Sequence, residues 1–190
     1  VKKTRIKDIY IINNLFSSEE MIKIQECLNS MEWSKDEFSD NKYVDLGKHG
    51  LGINECQETG FILHEKSNLI QKNIEQDFNC RVGEEGMGTI VKYSEGWVLP
   101  YHADCWSNLP TYSGYPTRDI SSVVYLTGDF EGGSLLFPDL DIEIEPLAGS
   151  AVYFPSDEKH MHTVTEVKSG NRATCTGFWH ILKNENEDEK

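Results

Sequence analysis

Two histidines and an aspartate define the chemistry open to this chain. His102 and Asp104 flank Ala103 in the run Pro100-Tyr101-His102-Ala103-Asp104, and a further imidazole is offered by either end of His160-Met161-His162. A His-x-Asp pair on an extended segment presents both side chains to one face, because strand side chains repeat with a period of two. A third ligand from a distant strand then completes two imidazoles and one carboxylate on one side of a metal ion. That set leaves the remaining coordination positions open, as oxygen chemistry at non-haem Fe(II) requires. Zinc hydrolysis with a bound water can use the same donors.

Arg172 separates these chemistries. It follows a turn at Ser169-Gly170-Asn171 and should lie on the next strand. An arginine inside a β-sandwich is costly unless an anion pairs with it. A bidentate carboxylate meets that need and would orient a dicarboxylate co-substrate. A zinc hydrolase has no evident use for such a group.

The positioning elements are mostly short strands. After Gly86-Met87-Gly88, β-rich runs recur at residues 89–93, 121–126, 133–137, 142–144, 151–154, 162–167 and 173–181, broken by Gly, Pro and Asp. This spacing predicts a sandwich or barrel of the jelly-roll type. Ahead of it, residues 8–12 read as a strand, and Ser17 or Ser18 caps a helix with Glu20 placed for a capping box. Met21, Ile24, Cys27 and Leu28 recur there at helical spacing. A second helix is expected over 62–78, and the stretch from 32 to 60 reads as irregular strands and loops. The expected architecture is mainly β with flanking helices on one outer face: a single domain over 1–182, with helical support to about 85 and a core over 86–182. The charged tail 183–190, which lacks apolar residues, is expected to be disordered.

Length and charge narrow the classes further. With 190 residues the chain can bury its own core. Its net charge of −14 disfavours nucleic acid and anionic membranes as partners. No apolar run approaches a membrane span. The five cysteines (Cys27, Cys56, Cys80, Cys105 and Cys175) are scattered and odd in number, which predicts reduced thiols and a cytoplasmic, soluble protein.

The order of motifs is more specific than any one of them. Tyr93 stands nine residues ahead of His102; Arg118, Ser121, Tyr125 and Leu126 follow; then come Glu131-Gly132-Gly133 and Phe137-Pro138; then Pro146, Gly149, Ala151, Val152 and Phe154. His162 precedes Arg172 by ten residues, and Phe178 or Trp179 closes the series. Over residues 90–181 this resembles the catalytic domain of the 2-oxoglutarate- and Fe(II)-dependent dioxygenases, most closely the prolyl 4-hydroxylase branch. The chain departs from that branch in two places. Arg172 stands where Lys is frequent, and Leu99 stands where a Tyr often precedes the proximal His.

The resemblance implies a double-stranded β-helix and an enzyme that hydroxylates an unactivated C–H while converting 2-oxoglutarate to succinate and CO2. It implies Fe(II) on His102, Asp104 and His162, the last chosen over His160 by the ten-residue offset to Arg172. It further implies 2-oxoglutarate paired with Arg172, with Ser121 or Thr174 and Tyr93 assisting, and ascorbate as reductant. The expected substrate is a peptide, proline-rich in character, clamped by an aromatic loop holding Trp106, Pro110, Tyr112, Tyr115 and Pro116. A small-molecule hydroxylase and a non-catalytic metal-binding sensor on the same fold remain open alternatives.

Overall fold

The computed structural model describes residues 2–31, 33–35, 44–50, 57–83, 87–105 and 117–182. The aromatic loop at 106–116 and the tail at 183–190 lie outside these residues, as do parts of the irregular stretch.

Alternation of apolar side chains is what layers this chain. In the strand Ala151–Pro155, Ala151 and Tyr153 join one buried cluster while Val152 and Phe154 join another. In the strand Ile120–Tyr125, Val124 and Tyr125 divide in the same way. A sheet covered on both faces needs apolar residues at both parities, which is why Ala151–Pro155 reads as a nearly continuous hydrophobic run.

The elements run β1 (Lys2–Ile6), β2 (Ile9–Asn13), α1 (Ser18–Ser30), β3 (Trp33–Lys35), β4 (Val44–Gly50) and α2 (Gln57–Phe78). Then follow β5 (Met87–Ser94), β6 (Leu99–His102), β7 (Ile120–Tyr125), β8 (Glu131–Gly132), β9 (Leu135–Phe137) and β10 (Ile142–Ile144). The last four strands are β11 (Ala151–Pro155), β12 (His162–Val164), β13 (Val167–Ser169) and β14 (Asn171–Trp179). Eight strands form one sheet in the order β1-β2-β11-β7-β14-β5-β4-β3, and four form a second in the order β10-β9-β12-β6. A short third sheet pairs β13 with β8. The large sheet packs one face on α1 and α2, through Ile24, Leu28, Ile70 and Ile74. Its other face meets the four-stranded sheet, through Val152, Phe154, Phe137 and Val164. The mainly β architecture with two covering helices is as expected.

Local chemistry sets the helix boundary. Ser17 caps α1: its hydroxyl accepts from the Glu20 amide, and Glu20 answers by accepting from the Ser17 amide at 2.7 Å. α2 begins at Gln57, five residues ahead of the expected start, and carries Gly60 within it. Packing of buried Thr59 and Leu63 outweighs the glycine's modest helix cost.

Three expectations are corrected. β1 was not foreseen, because its sequence KKTRI is exposed throughout and shows no apolar alternation. It is held as a hairpin partner of β2, with Lys3 paired to Asp77 at 2.7 Å. Secondly, His102 and Asp104 do not share a strand: β6 ends at His102 and Asp104 sits in the turn beyond it. Lastly, Cys27 is disulfide-bonded, while Cys80, Cys105 and Cys175 carry no disulfide. Sequence spacing does not reveal which cysteines a fold brings within bridging distance, and the argument from thiols to a reducing compartment loses its footing. Among the described residues no helix is long and apolar enough to cross a membrane.

Candidate metal centre

Antiparallel pairing of β6 with β12 sets His102 directly opposite His162. Their ring centres are 4.5 Å apart, and Asp104 closes the group from the turn. His102 Nε2 lies 3.3 Å from Asp104 Oδ1, and His162 Nε2 lies 3.6 Å from Asp104 Oδ2. One ligand atom from each residue falls within 4.8 Å of the others, the spacing of donors around a single ion. Each ring is fixed in the same way. The Nδ1–H of His102 donates to the Pro100 carbonyl at 2.8 Å, and that of His162 to the His160 carbonyl at 3.0 Å. A carbonyl only accepts, so both Nε2 lone pairs are left facing the shared space. Phe137 and Phe154 pack on the His162 ring and hold it there.

The electrostatics favour a bound cation. Burial alone would raise Asp104, yet hydrogen bonding from His102, the neighbouring His162 and the Ser121 hydroxyl together hold it below its ordinary value. Burial depresses His102 too, but the adjacent carboxylate outweighs this and keeps the imidazole above the usual histidine range. At His162 burial prevails and the imidazole is pushed down. An ionised carboxylate in a largely buried group is a site a divalent cation stabilises by displacing one proton.

Across the cavity lies an anion cradle. Arg172 is 2% exposed, and among the described residues no carboxylate pairs with it. Its Nε donates to the Gly133 carbonyl at 3.0 Å, and the guanidinium sits between the rings of Tyr93 and Tyr125, at 5.3 and 5.2 Å from their centres. Strand register explains the gathering: Arg172 pairs across to Tyr93 on β5, and Thr174 pairs across to Tyr125 on β7. Among the described residues, the Tyr125 hydroxyl and Thr174 Oγ1 are buried with no hydrogen-bond partner. One unpaired cation and two orphan hydroxyls on one face suit a carboxylate, whose two oxygens accept several hydrogen bonds. The same cavity is lined by Asp104 and His162, so an acid held at Arg172 extends towards the triad.

The structure therefore brings together His102, Asp104 and His162 at one end, and Arg172, Thr174 and Tyr93 at the other. Ser121 is not with the second group. It lies four residues from Tyr125 along β7, and its hydroxyl meets Ser156 Oγ at 2.7 Å. Tyr125 is the cradle residue that sequence reasoning passed over, since only the β7–β14 register shows that it faces the Arg172 side. His160 points elsewhere and bonds Asp157 at 2.6 Å. Arg118 stacks on Phe178 at 3.8 Å and reaches the Asp104 carbonyl at 3.4 Å.

The family model of the 2OG-Fe(II) oxygenase superfamily matches residues 88–180. Prolyl 3-hydroxylase 1 of Gallus gallus is 40% identical over 73 residues, which are 36% of this chain and 10% of that protein. The human prolyl 3-hydroxylase 1 is 38% identical over 95 residues, 44% of this chain and 13% of the relative. The matches thus span little more than a tenth of these curated relatives. Among solved structures, a Trichoplax adhaerens prolyl hydroxylase in complex with a hypoxia inducible factor peptide fragment aligns with a TM-score of 0.71 at 20% identity, covering 91% of this chain and 83% of that one. Such a likeness is one of fold, the double-stranded β-helix of these oxygenases. The chain carries, over residues 88–180, a domain of the 2OG-Fe(II) oxygenase superfamily.

Proposed function

We propose that this chain is a 2-oxoglutarate- and Fe(II)-dependent hydroxylase of peptidyl proline. The observation that carries the reading is a buried Arg172, without a carboxylate partner among the described residues, that lines one cavity with Thr174 and with Asp104 and His162 of the His102–Asp104–His162 triad. His102 Nε2, His162 Nε2 and Asp104 would hold the iron, and Arg172, Tyr125 and Thr174 the far carboxylate of the co-substrate. Iron with 2-oxoglutarate and O2 supplies the oxidation, in which the co-acid loses CO2 to become succinate and a substrate C–H takes up one oxygen atom. The chain's own residues bind, orient and shield: Leu135 and Val164 form an apolar wall to the cavity that keeps water from the reacting atoms. The substrate assignment draws on the prolyl 3-hydroxylase relatives and on the peptide held by the Trichoplax adhaerens protein. Net charge of −14 favours basic over acidic peptides and disfavours nucleic acid.

The test is incubation of the chain with Fe(II), 2-oxoglutarate, ascorbate as reductant and proline-rich peptides. Succinate release coupled to a gain of one oxygen on proline is the expected result, and the ring position oxidised separates 3- from 4-hydroxylation. Succinate formation driven by a free amino acid, with every peptide unmodified, would replace this reading by a small-molecule hydroxylase.

A further inference from the structure

Trp97 is tied to Arg172 by way of a single ring. Its indole lies face to face with Tyr93, the ring centres 3.7 Å apart and the planes within 26° of parallel. At that separation the two faces are in van der Waals contact. Tyr93 borders the cavity, and the Arg172 guanidinium sits 5.3 Å from its ring centre. Among the described residues that line the cavity Trp97 is not one, and it is buried at 5% exposure.

The indole belongs to the turn between β5 and β6 rather than to either strand. The Trp97 amide donates to the Ser94 carbonyl at 3.2 Å, and its carbonyl accepts from the Val167 amide at 2.9 Å. The Gly96 amide donates in turn to the Val167 carbonyl at 2.8 Å. Val167 opens β13, the strand that leads into β14 and Arg172. Just before it, the Glu166 carbonyl accepts from the Gly133 amide at 3.0 Å, and the Gly133 carbonyl accepts from Arg172 Nε at 3.0 Å. The turn that carries Trp97 is therefore fastened to the same segments that seat the arginine.

Space-filling alone does not account for this contact. Trp97 shares a buried cluster with Val91, Leu135 and Val167, and any apolar side chain of similar volume could serve there. A filler has no need of a flat face stacked on one ring of the cradle. The Gly133 carbonyl fixes Arg172 at Nε, which leaves the tilt of the guanidinium plane to the rings beside it. Tyr125 is fully buried in β7, whereas Tyr93 stands on the cavity wall. A phenol with open space to one side keeps its angle only if something stiff backs it.

We infer that Trp97 is a positioning residue for the co-substrate: its indole fixes the Tyr93 ring, and that ring fixes the Arg172 guanidinium for an incoming carboxylate. This rests on the reading of Arg172 as the anchor of 2-oxoglutarate. Trp97 touches neither co-substrate nor metal in this scheme.

The experiment measures binding by calorimetry to the chain loaded with Co(II) in place of iron, under argon. Two acids are compared: 2-oxoglutarate, and 2-oxopentanoate, which has the same carbon chain without the far carboxylate. Both offer the metal a 2-oxo acid, and only the first has a group for Arg172. Trp97→Leu should weaken 2-oxoglutarate about tenfold, within the range by which residues in contact couple. It should leave 2-oxopentanoate and Co(II) at wild-type affinity, and Trp97→Phe, which keeps a flat ring, should restore most of the loss. In a Tyr93→Leu background, Trp97→Leu should cost nothing further. Melting curves report folding separately. Should Trp97→Leu fold poorly, Trp97→Met fills more of the space without a ring and should show the same selective loss. Equal losses for both acids, losses that simply add in the double variant, or a wild-type preference in a folded, ringless Trp97 variant overturn the inference. A wild-type chain that binds the two acids alike is a different result, because it removes Arg172 as anchor and the proposed function with it.

Discussion

Arg172 holds its guanidinium carbon 5.2 Å from the centre of the Tyr125 ring, whose buried hydroxyl has no hydrogen-bond partner among the described residues. Burial raises the phenol's pKa and the neighbouring cation only partly offsets this, so the group stays a neutral donor. An orphan hydroxyl costs roughly 1–3 kcal/mol in the empty protein, whereas a hydrogen bond to a charged ligand returns a similar amount. Tyr125→Phe should therefore leave the melting temperature unchanged or raise it, while the 2-oxoglutarate concentration needed for half-maximal succinate release rises about tenfold. A variant with the wild-type co-substrate requirement would take Tyr125 out of the cradle.

Gly133 seats the same arginine. Its φ of +66° lies in the left-handed region, and a Cβ there would come within 2.8 Å of Arg172 Cδ. Gly133→Ala should lose about 1–2 kcal/mol of stability from the backbone alone. It should also displace Arg172 and raise the co-substrate requirement by more than Tyr125→Phe does. Thermal melts and succinate release against 2-oxoglutarate separate the two effects. If stability falls and the requirement does not move, the glycine shapes the turn without placing the guanidinium.

Metal uptake should depend on pH through His102. The imidazole ligates only when neutral, and the Asp104 carboxylate holds it above its ordinary value against the opposing effect of burial. A raised pKa means the proton competes with the ion further up the pH scale, so affinity falls as pH falls. Asp104 and His162 are both depressed and compete only at lower pH. With one proton displaced per ion, Co(II) affinity should drop about tenfold per pH unit below the His102 pKa. Isotherms between about pH 6 and pH 8 would test this. Affinity that is flat over that window would exclude His102 from the ligand set, as would Co(II) binding that survives His102→Ala.

These relationships show where the sequence was legible and where it was not. His102, Asp104, His162 and Arg172 were singled out by the order and spacing of motifs in the family they resemble, and the structure gathers the first three within 4.8 Å of one another. The reason given for the His-x-Asp pair was nevertheless incomplete, since β6 stops at His102 and a turn carries Asp104. Tyr125 and Ser121 are both on β7 and both hydroxyl-bearing, and their division between cradle and triad depends on how β7 lies along β14. Register is a property of pairing, invisible in one strand's sequence. The glycine pair of Glu131-Gly132-Gly133 was recognisable as a motif, but its cause is steric: a Cβ on Gly132 would meet the Glu166 carbonyl oxygen at 2.0 Å, and one on Gly133 would meet Arg172. β1 and the Cys27 disulfide left no periodic signal to read.

The helical layer can be tested apart from the site. Glu20 closes the α1 capping box and also takes Lys66 of α2 at 2.7 Å. Burial works to raise its pKa, but the Lys66 and Ser17 bonds outweigh it and the carboxyl is depressed. A depressed carboxyl contributes stability above its unfolded pKa and loses it as pH falls through the folded value. Glu20→Gln preserves the capping bond to the Ser17 amide, because a glutamine oxygen also accepts. It removes only the charge that Lys66 pairs with. The variant should be less stable by about 0.5–1 kcal/mol near neutral pH, and the gap should close as acid protonates the wild-type carboxyl. Ser17→Ala should instead cost about 1 kcal/mol at every pH, since a hydroxyl cap does not titrate. Melting curves of both variants across the acid range distinguish these patterns, and a Glu20→Gln deficit that persists in acid would mean that the ion pair is not what links α1 to α2.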